Sequence, residues 1–322
     1  SDEGNTWAML SRSLGEIANA AAADIHPPGY YWLLKGWSLV FGSSAWAMRS
    51  FSALAGVLLV LLIERIGRRI GPSSSGLLAA LVAAANPLLI YYSQEARMYM
   101  LLALLGAGLF WSLLGLPVFR EDPLPGRPPS GKTPFREAFY VVCAALGLWT
   151  HYSFAIVLAA ANLAWLGRWL GLRYARAPLA TWRALGGWIG LNLLAVLLFL
   201  PWLPTAIASV LNWPKGGAAV SLAAGLEATL RTLVFGPLRI TPEPGWPWLL
   251  AGAVLPLLGL AGLIVAHPYE GVRTGQGAQT SPSAHLHEGV RTGQGAQTSP
   301  SAHLHEGVRT GQGAQTSPSA HL

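Results

Sequence analysis

The residues of this 322-residue chain that could do chemistry are few, and they sit where apolar runs end. An acidic pair, Asp2-Glu3, stands at the start, and Asp24-Ile25-His26-Pro27-Pro28-Gly29-Tyr30-Tyr31 follows. A carboxylate beside an acceptor hydroxyl can remove its proton as the hydroxyl attacks, provided burial or a like charge keeps its pKa useful. Two acids at a chain start also read as solvated surface. Six of the eight histidines lie in residues 267 to 322, which leaves His26 and His151. Either one alone is most simply an interfacial histidine, but ionisable groups near membrane depth are costly and tend to face a cavity or a substrate path.

Arg97 and Tyr99, just past Glu95, suggest a second role. A guanidinium matches the geometry of a phosphate and stabilises the charge a phosphate leaving group develops. The alternative is an arginine that snorkels to mark a helix end. Asp2, Glu3, His26, Glu95 and His151 are acceptable ligands for a divalent cation, but no tight ligand spacing supports a metal site and no cofactor is required.

The elements that must position these residues are apolar helices. Hydrophobic residues make up 52% of the chain and charged ones 11%, against about 25% charged in an ordinary soluble domain. An all-α, polytopic membrane protein follows, and its 14 tryptophans suit helix ends at a lipid boundary. Residues 5 to 18 carry a helical pattern suited to an interface, and Pro27-Pro28 stops what precedes them. An amphipathic segment then runs from Gly29 to about Phe41, with Tyr30, Tyr31, Trp32 and Trp37 as expected interfacial anchors. Spans are expected at about 45–66, 75–92 and 96–116, with a tight turn through Tyr91 to Arg97. A hairpin over 137–169 is broken at Thr150-His151-Tyr152, and further spans cover about 185–200 and 246–266, for about seven in all. A surface helix is expected near Leu222 to Phe235.

Basic residues then orient the chain. If the turn at Ser93 to Arg97 is outside, eleven (Arg65, Arg68, Arg69, Arg120, Arg127, Lys132, Arg136, Arg168, Arg173, Arg176, Arg183) fall on one side, against seven on or near the other. The positive-inside rule makes the richer side cytoplasmic, so Asp2, Glu3, His26, Glu95 and His151 face the extracytoplasmic side. The net charge of +7 is scattered rather than gathered in a stripe, so no nucleic acid is expected. The single cysteine, Cys143, excludes an intramolecular disulfide.

From Glu270 the chain is three copies of EGVRTGQGAQTSPSAHLH, the last without its final His. With almost no apolar content, such repeats build no core. Two parts are expected: a membrane-embedded core over 1–266 and a disordered tail over 267–322.

The ordered set of Asp2-Glu3, His26-Pro27-Pro28-Gly29-Tyr30-Tyr31, Arg49-Ser50-Phe51-Ser52, Tyr92-Ser93-Gln94-Glu95-Ala96-Arg97-Met98-Tyr99, Thr150-His151-Tyr152 and Pro201-Trp202-Leu203-Pro204 resembles bacterial membrane glycosyltransferases of the GT-C fold. These are the relatives of protein O-mannosyltransferases and lipid A aminoarabinose transferases, in glycosyltransferase family 39. The resemblance covers about residues 1 to 215 and implies transfer of a sugar from a polyprenyl-phosphate carrier to an acceptor hydroxyl, with inversion, at the extracytoplasmic face of the plasma membrane. It implies that Asp2 is the general base with Glu3 its neighbour, that His26 lies near the donor phosphate, that Arg97 and Tyr99 form an arginine-tyrosine motif, and that Glu95 and His151 line the same cavity. The family carries a transmembrane helix before the acidic pair, so the chain reads as a fragment lacking that first helix. A transporter or flippase for a polyprenyl-linked substrate, or a non-catalytic envelope protein, are the competing classes. No internal symmetry of the kind transporters show is present.

Overall fold

The structure, a computed structural model, describes residues 2–119, 133–212 and 221–236, with Asp2 described by its backbone alone. All the regular structure among the described residues is helical, with no strand among them. The chain begins with three short helices, α1 (Asp2–Leu10), α2 (Leu14–Ala22) and α3 (Gly29–Phe41). Residues 5 to 18, expected as one segment, are thus split. Ser13 is the reason: its hydroxyl accepts from the Glu16 N–H at 3.3 Å while the Glu16 carboxylate accepts from the Ser13 N–H at 2.7 Å. This capping box starts a new helix rather than prolonging the old one.

The remaining helices are α4 (Ala45–Ile70), α5 (Ser73–Ala85), α6 (Pro87–Ser93), α7 (Tyr99–Leu113), α8 (Thr133–Thr150), α9 (Phe154–Tyr174), α10 (Trp182–Phe199), α11 (Leu203–Leu211) and α12 (Leu222–Phe235). Among the described residues, α4, α9 and the run Trp182–Leu211 are long and apolar enough to cross a membrane. The pair α5 and α6, bent by 62°, makes a fourth if the two halves form one span. The bend falls at Asn86-Pro87, inside the stretch expected to be a single straight span. Proline has no N–H to give, and the Asn86 side chain instead caps α6 by accepting from Leu88 and Leu89 N–H at 3.0 and 3.1 Å. The expected break near His151 is present, between the end of α8 and the start of α9. The helix expected near Leu222 to Phe235 is α12, tied to the bend by Asn86 Nδ2 donating to Leu233 O at 3.0 Å. The expected span at 246–266 and the repeats lie outside the described residues.

Exposed leucines and valines on the long helices, such as Leu54, Val57, Leu61 and Leu163, are what a lipid-facing surface requires. The chain is a multi-pass membrane protein. Where α8, α9 and α10 meet, the polar side chains satisfy one another: Tyr140 Oη and Asn162 Nδ2 both donate to Asn192 Oδ1, at 3.1 and 3.0 Å, and Trp188 Nε1 donates to Asn162 Oδ1 at 2.9 Å. Such bonds fix how the helices mate.

Two ends of this assembly are distinct. At one, arginines close the ends of helices: Arg69 Nε donates to Leu114 O (2.7 Å), Arg136 Nη1 to Trp111 O (2.8 Å) and Arg168 Nε to Val118 O (3.3 Å). Cations there meet the carbonyls that a helix C-terminus leaves over. At the other end lie α1 to α3, the start of α4, the α6–α7 turn and the α8–α9 turn.

Candidate active site

The site begins with a carboxylate that is fully engaged. Arg49, one turn into α4, forks onto Glu3 of α1, with Nε to Oε1 at 3.0 Å and Nη2 to Oε2 at 2.6 Å. The Ala96 N–H, in the turn before α7, also donates to Glu3 Oε1 at 3.0 Å. Three sequence-distant segments therefore close on one side chain. The Arg49 hydrogen bond is the main cause that holds the Glu3 carboxyl below its ordinary range; partial burial works against it, and the Ala96 N–H adds to the lowering. A carboxylate with both oxygens so occupied is a poor proton acceptor.

Beside it, the turn Gln94 to Met98 puts Glu95, Arg97 and Tyr99 together. The Arg97 N–H donates to Glu95 O at 2.9 Å, and the Arg97 guanidinium carbon lies 6.0 Å from the centre of the Tyr99 ring. All three side chains are half-buried. Tyr99 stacks at a tilt on Tyr92 (4.7 Å between ring centres) and lies 6.4 Å from the His151 ring.

His26 completes the group. Its ring centre is 5.3 Å from that of His151, and its Nδ1 is 3.5 Å from Asp24 Oδ2. The loop holding it is set by Gly29, where an added Cβ would stand 2.5 Å from Trp149 O, so only glycine lets α3 approach the end of α8 this closely. The His151 Nδ1 accepts from the Ser153 N–H at 3.0 Å and lies 2.8 Å from Ser153 Oγ. An accepting Nδ1 makes the ring neutral with its proton on Nε2. Burial first, then the neighbouring His26 and the positive Arg97, hold the His151 pKa below the ordinary 6.5.

Glu3, His26, Glu95, Arg97, Tyr99 and His151 thus belong to one end of the helices, and their contacts link α1, the loop before α3, the turn before α7 and the turn after α8. Asp2 opens α1 next to Glu3. Arg49, Asp24 and Tyr92 carry contacts that sequence reasoning did not assign. The signal for Arg49 was a lone cation one turn inside an apolar helix, which is costly unless paired. Tyr30 and Tyr31, expected as lipid-interface anchors, are buried in the protein instead. The Tyr30 hydroxyl lies beside that of Ser52 without a well-formed hydrogen bond, and burial raises its pKa so that it stays protonated. No group of three or more metal-ligating side chains is present among the described residues.

Fold and site together define a helical, multi-pass membrane protein with its candidate site residues gathered at one end. Residues 25–116 match the family described as Dolichyl-phosphate-mannose-protein mannosyltransferase. The chain is similar to that glycosyltransferase family over this stretch, which contains His26, Arg49, Glu95, Arg97 and Tyr99 and stops short of Glu3 and His151. No curated protein and no solved structure matches the chain.

Proposed function

We propose that the chain transfers a sugar from a polyprenyl-phosphate donor to an acceptor hydroxyl, with inversion, at the extracytoplasmic face of the plasma membrane. The observation that carries this reading is the meeting of Glu3, Arg49, the Ala96–Tyr99 turn, His26 and His151 from five separate parts of the chain, two of them outside the stretch that matches the family. In a GT-C-like fold, α7, α8 and the 246–266 stretch join the four candidate spans to make about seven.

In this reaction the acceptor O–H attacks the anomeric carbon from the face opposite the phosphate. The new C–O bond forms as the bond to the phosphate oxygen breaks, and the lipid phosphate leaves with its electron pair. Asp2 takes the hydroxyl proton, because Glu3 is held ionised and occupied by Arg49 and the Ala96 N–H. Arg97 offsets the charge growing on the leaving phosphate. His26 and neutral His151, with its Nε2–H, hold phosphate oxygens by hydrogen bonds, while Glu95 and Tyr99 shape the same cavity. Donor lipid, acceptor and surrounding membrane lipids are the partners.

The test uses membranes carrying the chain and a panel of labelled polyprenyl-phosphate sugars. Release of free polyprenyl phosphate with label on the acceptor is expected, falling on the order of 10²-fold or more in Asp2→Asn. Movement of the intact lipid-sugar across the bilayer by both forms, with no bond broken, would replace the transferase with a flippase.

A further inference from the structure

Helix α3 is buried at one end and bare at the other. Gly29, Tyr30, Tyr31 and Leu34 pack inward, yet Leu39 is 80% and Val40 75% exposed, with Phe41 half exposed. Thirteen residues make about 20 Å of helix, too short to cross a bilayer. The bare end therefore cannot be explained as the wall of a span.

The exposed side of α3 also lacks charge. Its one charged residue, Lys35, is turned inward, where Nζ donates to Leu10 O at 2.8 Å. The Ser38 hydroxyl is engaged as well, donating to Lys35 O at 2.7 Å. Leu33, Gly36 and Val40, at i, i+3 and i+7, form an uncharged stripe that runs toward Phe41.

The corner between α3 and α4 is stiff. Trp37 stacks on Phe41 with ring centres 4.0 Å apart, meets Phe51 edge-on at 5.6 Å, and donates from Nε1 to Ala47 O at 2.9 Å. Gly42 reverses the chain at φ 82°, a value that glycine alone adopts without strain. Just beyond, Trp46 is 77% exposed. It heads a stripe on α4 that continues through Leu54, Val57 and Leu61, at i+8, i+11 and i+15, along a helix long and apolar enough to cross a membrane.

From this continuity we infer that the α3–α4 corner is inserted in the bilayer, with Leu39, Val40, Phe41 and Trp46 in the acyl region of the leaflet nearest the candidate site. The occupant of this surface is lipid, because the apolar face of α3 leads, across the short Gly42-Ser43-Ser44 corner, to the lipid-facing stripe of a span. The chemistry is that of an interfacial helix whose apolar side sinks below the headgroups while its other side stays on protein. The consequence is mechanical. The same short helix begins at Pro28-Gly29 beside His26, so anchoring its far end sets the depth and tilt of the loop that carries His26.

A depth measurement tests this without reference to turnover. With the buried Cys143 replaced in Cys143→Ser, a nitroxide is attached at Val40→Cys, or at Leu39→Cys as a second position, in the full chain in phosphatidylcholine–phosphatidylglycerol vesicles. Leu58→Cys on α4 serves as the lipid reference and Ala175→Cys, in the turn after α9, as the aqueous one. Collision with oxygen should exceed collision with a water-soluble nickel chelate by several-fold relative to Ala175→Cys, approaching Leu58→Cys. A ratio equal to that at Ala175→Cys places the corner in water and overturns the inference. An immobilised probe reached by neither quencher means that protein covers the corner, and overturns it equally. Loss of sugar transfer alone changes none of these readouts.

Discussion

Arginine is used in two ways at the two ends of this molecule. At the end remote from the site, Arg69, Arg136 and Arg168 donate to carbonyls of Leu114, Trp111 and Val118, each at or just past the end of a helix or turn. At the site, Arg49 is matched to a carboxylate 46 positions away, and Arg97 stands over the ring of Tyr99, which neighbours His151. Carbonyl caps complete local backbone and need nothing else. A carboxylate pinned by a fork and a backbone N–H holds charge in a fixed place, as preorganised electrostatics require.

The sharpest way to break this contrast is to remove one arginine from each end. Arg97→Ala should lower turnover of a polyprenyl-phosphate sugar by about 10²- to 10³-fold at saturating donor, the usual cost of losing a group that stabilises developing charge. Arg69→Ala should leave turnover intact and lower only the thermal midpoint. Equal losses of turnover in the two variants would mean that both arginines are structural.

Much of the fold could be read from residue types in local runs. The break at Thr150 to Ser153 and helix α12 follow from sequence pattern, because an apolar period and its interruption are local signals. The Ser13/Glu16 capping box and the Asn86-Pro87 bend are equally local signals, and they divide what an apolar period alone reads as longer uniform helices. What no local pattern encodes is which way a side chain turns. Tyr30 and Tyr31 have the composition of lipid-interface anchors, yet the face they share is the one α3 presses inward, so Leu39 and Val40 take the exposed side. The candidate residues were legible by type and order, whereas the Arg49–Glu3–Ala96 closure joins residues 46 and 93 positions apart and exists only in the folded chain.

A smaller effect is expected where the site rests on backbone contact. Gly29→Ala puts a methyl group 2.5 Å from Trp149 O, and backbone cannot swing aside as a side chain can. Overpacking of this kind costs about 1–3 kcal/mol. Thermal unfolding in detergent should show that loss, and the donor KM should rise as the His26 loop is pushed from α8. Wild-type unfolding and KM in Gly29→Ala would mean that α3 does not rely on this approach.

The smallest effect concerns protons, and it again separates groups by what they touch. His151 is neutral in the fold because Ser153 occupies Nδ1 as a donor, and burial, His26 and Arg97 each oppose a positive charge. Its folded pKa lies below the ordinary 6.5, so in mildly acid solution the unfolded chain takes up the proton first. Stability is therefore unaffected by this group above about pH 6.5 and falls as pH drops from there toward the folded value. Glu3, also depressed, acts lower: its contribution is complete above the ordinary carboxylate range and is lost only as pH falls through its folded pKa. Two acid steps should appear in the thermal midpoint, the first amounting to a few degrees at most, on the order expected for one partly exposed group. His151→Gln should abolish the first step and keep the second, whereas Glu3→Gln should keep the first and shrink the second, to which Glu16 in the Ser13 capping box also contributes. A first step that survives in His151→Gln would assign the mild-acid proton to another group and remove the case for a neutral ring at the site.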